Sequence, residues 1–111
     1  MLSARGVIEH FERKVNNLPP HIRSDRSHAN RFEYIYTKNG TFRNEIHKEF
    51  SNISARGVSE LAEEVFNNSS ADIHSWNRQN GVCILRKDYT KNQRKFLSAV
   101  CASIPCTMTV E

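Results

Sequence analysis

The chain has 111 residues, a formal net charge of +4, and is 38% hydrophobic and 25% charged. That describes one globular domain, residues 1–111, with a modest core, and it excludes a disordered or low-complexity chain. No apolar run approaches the length of a membrane span, and residues 1–6 lack the apolar stretch of a signal peptide, so the expected location is cytoplasmic with no membrane partner.

Val7, Phe11 and Val15 recur at four-residue spacing with Ile8 beside them, which predicts a helix over residues 3–17. Ser3 is its expected N-cap, and Pro19-Pro20 forbid its continuation. Pro20 opens a short polar segment from His21 to Asn30, read as a helix with Ile22 as anchor. Phe32 to Tyr36, aromatic and β-branched, predicts a strand. Asn39-Gly40 is a turn signal. Phe42, Ile46, Phe50 and Ile53 then return to helical spacing, which favours a helix from Thr41 to about Ser51.

Ser54 is a suitable N-cap for the next helix, with Val58, Leu61, Ala62, Val65 and Phe66 on one face and Glu60, Glu63 and Glu64 on the other. The turn cluster Asn67 to Ser70 leads into a second short helix with Ile73 and Trp76 on one side, ended by Gly81. Val82 to Leu85 is a short apolar strand. Phe96, Val100 and Ile104 mark a last helix stopped by Pro105, and Cys106, Met108 and Val110 alternate as in a terminal strand.

Helix, tight turn, short helix and strand is the order of a helix-turn-helix with a wing. Residues 42–87 resemble helix-turn-helix and winged-helix DNA-binding proteins. The stretch from Val58 to Val65 is similar to the first helix of such motifs. Ile73-His74-Ser75-Trp76 is similar to the start of the second, with Phe42 to Phe50 as a support helix. The glycine usual in the turn is absent, Phe66-Asn67 standing in its place.

The chain also repeats itself. Residues 3–24 align without a gap with residues 54–75, and half the aligned positions are identical, including the whole of Ser-Ala-Arg-Gly-Val. Tyr36-Thr37-Lys38-Asn39 recurs as Tyr89-Thr90-Lys91-Asn92. The expected fold is therefore α+β and mainly helical: two tandem helix-helix-strand-helix units, residues 1–53 and 54–111, forming one pseudo-twofold domain. Its expected core joins Val7, Phe11, Val15, Phe42, Ile46 and Phe50 with Val58, Leu61, Val65, Phe96, Val100 and Ile104.

The resemblance implies sequence-specific duplex DNA binding of a regulatory kind. Each unit would present its short helix to the major groove: Arg23, Arg26, Ser27 and Asn30 from the first, and His74, Ser75, Asn77 and Arg78 from the second. Arginine and asparagine are side chains that read base edges bidentately. From Arg78 to Lys95 six cations face Asp88 alone. Of these, Arg86, Lys87, Lys91, Arg94 and Lys95 are the expected phosphate contacts. Tyr34, Tyr36 and Tyr89 are either base-stacking residues or half-buried strand residues.

The competing expectation is a small interaction protein that covers a protein partner, as phage-encoded inhibitors and immunity proteins do. An enzymatic role is not expected. No phosphate loop or nucleophile elbow is present, and a ribonuclease using His21 or His28 is the residual alternative. No metal or cofactor is expected, because neither His-x-x-x-His nor Cys-x-x-Cys occurs. Cys83, Cys101 and Cys106 read as buried thiols rather than a disulfide framework. Oligomeric state is left open.

Overall fold

The computed structural model describes residues 4–15, 17–67, 75–77, 82–104 and 107–110. Along these residues the elements run α1 (Ala4–Val15), α2 (Pro20–Arg23), α3 (His28–Lys38), α4 (Gly40–Glu49), α5 (Ala55–Asn67), β1 (Ser75–Asn77), β2 (Val82–Leu85), α6 (Lys91–Ala102) and β3 (Thr107–Val110). The chain is mainly helical, as its periodicity requires.

Local chemistry explains most of the boundaries. Pro20 sits in the first turn of α2, where its missing N–H costs nothing. Ser27 accepts from the Asn30 N–H and caps α3. Asn39 alone separates α3 from α4: its N–H bonds to Ile35 O, closing one helix, and its Oδ1 accepts from the Phe42 N–H, opening the next. Ser54 Oγ accepts from the Gly57 N–H at 3.0 Å at the start of α5. A Cβ on Gly57 would stand 2.7 Å from Ile53 Cγ1, so this turn needs glycine for close approach. Asn52, with φ of 59°, reverses the chain between α4 and α5 in the left-handed conformation that asparagine tolerates. Thr90 and Gln93 form a complete capping box on α6.

Two element expectations are overturned. Phe32 to Tyr36 is not a strand but the middle of α3. Phe32, Ile35 and Tyr36 are all buried, at i, i+3 and i+4, so packing on one helix face outweighs β propensity. Nor is Ser75 to Asn77 helical. It is β1, paired antiparallel with β2 in the register Ser75↔Ile84, Trp76↔Cys83, Asn77↔Val82. A β2 strand has ladder groups to satisfy, and β1 and β3 satisfy them from its two sides. The sheet order is β1-β2-β3, with β3 parallel to β2 and α6 as the crossover between them.

The core is gathered by helices. Phe11, Phe32, Phe42 and Phe96, from α1, α3, α4 and α6, are fully buried. The Phe11 and Phe32 rings stack at 5.8 Å, and Phe32 meets Phe96 edge-on at 5.1 Å. Around them α3 packs on α5, α4 on α6 and α5 on α6, while α1 runs beside β1 and α6. Of the expected core, Phe11, Phe42, Ile46, Val58, Leu61, Val65, Phe96, Val100 and Ile104 are buried, and Val15 and Phe50 are partly so. The Val7 side chain lies outside the described residues, as do Ser3, Gly81 and Pro105.

The cysteine expectation also fails at Cys101. It is buried in α6, as predicted, but disulfide-bonded rather than a free thiol.

Candidate functional site

The base-reading set does not lie on two matched helices. In the first half, the segment from His21 to Asn30 is helical only to Arg23; Asp25, Arg26 and Ser27 are non-helical, and a new helix begins at His28. The cause is local. Asp25 Oδ1 accepts the Ser27 N–H at 2.8 Å and Asp25 Oδ2 accepts from Asn30 Nδ2 at 2.9 Å, so Ser27 and Asn30 are engaged in starting α3. These two bonds, that from Asn30 foremost, hold the Asp25 carboxyl below its ordinary value. Arg23 and Arg26 are exposed, the first at the end of α2 and the second in the turn after it.

In the second half, Ser75 and Asn77 fall on β1, of which the backbone is described, and His74 and Arg78 lie outside the described residues. A short recognition helix through Ser75 to Asn77 is therefore excluded.

The phosphate set divides. Arg86, Lys87 and Lys91 are exposed together on the β2–α6 connection and the first turn of α6. Arg94 is half-buried. Lys95 is committed elsewhere: its Nζ donates to Glu49 O at 3.3 Å, closing the C-terminal end of α4, and lies 5.5 Å from the centroid of the Phe50 ring. Of the tyrosines, Tyr36 and Tyr89 are buried and Tyr34 is half-buried, with Tyr34 and Tyr36 on α3 rather than a strand. Tyr36 donates to Ile53 O at 2.9 Å, so its short 2.6 Å contact with His47 Nε2 requires the histidine to donate there.

A cleft not anticipated from the sequence opens between α1, α2 and α3. It has a volume of about 380 Å³ and is lined by Glu9, Glu12, Arg13, Asn17, Leu18, Arg23 and Arg31. Glu12 is 4% exposed, a carboxyl within the apolar face of α1, one turn from Ile8. Glu12 Oε2 pairs with Arg31 Nη1 at 3.2 Å, and Arg31 Nη2 donates to Arg23 O at 2.7 Å. Glu12 Oε1 and Arg31 Nε have no hydrogen-bond partner among the described residues. Burial pushes the Glu12 carboxyl up to about 7, Arg31 pulling it back, Glu9 adding to the rise and Arg13 opposing it. The signal in the sequence was a glutamate at a core position of an otherwise apolar helix face.

Comparison of the chain with family models, curated proteins and solved structures finds no match.

Proposed function

We propose that the protein binds nucleic acid, most simply duplex DNA, by its phosphate backbone, through Arg86, Lys87 and Lys91. The observation that carries this reading is their joint exposure at the N-terminal end of α6. Neither Lys87 nor Lys91 has an ion-pair partner among the described residues. The positive end of the α6 peptide dipole adds to the attraction for an anion there. Base reading falls to Arg26, exposed in the turn before α3.

A tandem two-unit arrangement is part of this reading. In its support, α1 corresponds in the repeat to α5 and α4 to α6, and α4 packs on α6. The middle of each unit packs on the first helix of the other: α3 on α5, and β1 beside α1.

Duplex titration at a series of salt concentrations tests the proposal. Three phosphate contacts give a slope of log affinity against log salt of about −3. Replacing Arg86, Lys87 and Lys91 together by Ala flattens it, while Lys95→Ala changes thermal stability and leaves the slope alone. An unchanged slope in the triple variant would overturn the assignment.

A second reading rests on β3. Its Met108 and Val110 are 45% and 63% exposed, on one face of an edge strand. Edge strands accept an added strand from a protein partner, with alternate side chains giving specificity. Salt-insensitive binding of a protein in place of duplex would favour it.

A further inference from the structure

The cleft between α1, α2 and α3 is independent of the basic segment at α6, and the inference drawn from it does not depend on duplex binding. Its interior holds an incomplete hydrogen-bond set. Glu12, all but sealed from solvent, uses one carboxylate oxygen on Arg31 and leaves Oε1 without a partner among the described residues. Arg31 in turn leaves Nε–H unused. Buried polar atoms are rarely left so, because a group taken out of water without a new hydrogen bond keeps its full desolvation penalty. At the rim, Arg13 and Arg23 are exposed, and neither guanidinium makes a hydrogen bond or ion pair within the described protein. Leu18 supplies an apolar wall and Asn17 an amide.

The repeat sharpens the point. Glu63 of α5 aligns with Glu12 of α1, yet Glu63 is exposed. The repeated helix therefore does not require a glutamate to be buried at this position.

We propose that this cleft is a binding site for a nucleoside phosphate, its base edge meeting Glu12 Oε1 and Arg31 Nε–H and its phosphate meeting Arg13 and Arg23. A nucleobase carries donors and acceptors along its edges, able to serve an unused acceptor and an unused donor. Guanidinium groups chelate phosphate oxygens bidentately. The volume suits a ligand of this size. Three arginines against Glu9 and Glu12 leave the site attractive to an anion, and protonation of Glu12 makes it more so. Above neutrality the ionised Glu12 accepts a charge-assisted bond from the base; below it the carboxyl is neutral and that bond weakens.

Isothermal titration of the full chain with the four nucleoside monophosphates and with inorganic phosphate, at pH about 6 and about 8, reads these contacts directly. At least one nucleotide is expected to bind about tenfold or more tightly than inorganic phosphate. That ratio is expected to rise with pH. Arg13→Ala and Arg23→Ala, both at exposed positions, each weaken nucleotide and phosphate by about tenfold. Glu12→Gln keeps the shape of the side chain and removes the pH dependence of the ratio; near-ultraviolet circular dichroism verifies that it folds. A dinucleotide with a terminal phosphate, run in parallel, separates a free nucleotide from the end of a strand. No binding, or phosphate bound as tightly as every nucleotide with Arg13→Ala and Arg23→Ala silent, overturns the site.

Discussion

Glu12 places a titrating carboxyl where its neighbours on the helix are apolar, and that ties the stability of the whole fold to pH. The folded protein holds this proton up to about pH 7, against an ordinary carboxyl value of 4.5. Between those values the folded state binds more protons than the unfolded one, so this group's contribution to stability falls as pH rises through the window and is constant above it. The difference is of the order of 3 kcal/mol. Urea denaturation across that window is expected to show a falling midpoint for the native protein relative to Glu12→Gln, in which the glutamine cannot ionise. Parallel midpoints at every pH would show that Glu12 titrates at its ordinary value. The residue was legible in part. A glutamate among Ile8, Phe11 and Val15 signals a buried ionisable group, but its partner, Arg31, lies nineteen residues away on another helix, and no local pattern joins them. The same is true of Arg23, which the sequence marks as a base reader and the fold turns toward a cleft.

At the scale of elements, the junction at Asn39 carries the largest local demand. One residue closes α3, opens α4 and reaches Val15 O at the end of α1 through Nδ2 at 3.4 Å. Arg43 completes the join, its Nη1 donating to Tyr36 O and Thr37 O at 3.1 Å each. Asn39→Ala is expected to cost about 1–2 kcal/mol, lowering the thermal midpoint by about 4–9 °C for a domain of this size. Asn39→Asp, which keeps the capping oxygen, should recover most of that loss; a melt identical to the native one in Asn39→Ala would refute the shared-cap account.

The helices whose faces repeat cleanly were legible: Phe42 and Ile46 marked α4, and Val58, Leu61 and Val65 marked α5. Phe32, Ile35 and Tyr36 have equally good helical spacing, but their aromatic and β-branched character suggested extended backbone. Asn39-Gly40, expected as the turn between that strand and the helix from Thr41, is a helix-to-helix joint. Ser75 to Asn77 was illegible for a different reason. A three-residue strand has too short a period to register, and only its partner in β2 gives it a conformation.

For the molecule as a whole, the disulfide at Cys101 fixes α6 to another part of the chain. The chain has three cysteines in all, and a bridge takes two. Thiol titration in denaturant is expected to count one before reduction and three after it. The reduced protein should melt lower, by an amount equivalent to about 2–4 kcal/mol. Three thiols before reduction, in protein prepared under oxidising conditions, would remove the bridge.

The repeat was legible as identity but not as shape. The matching stretches that begin the two halves both fold as helices, α1 and α5, whereas α3 follows in the first half and β1 and β2 are described in the second. Identity is dense at the start of the unit and sparse through its middle, where the two shapes part.

That sheet sets an order of events during synthesis. Strand β2 takes β1 on one side from nearby sequence, but its other side waits for β3, which the ribosome releases only after the whole of α6. In that interval Val82 to Leu85 offers a bare row of amide and carbonyl groups, open to any extended segment in reach. A nascent chain stalled before Thr107 thus exposes an adhesive edge that the finished molecule hides behind its last four paired residues.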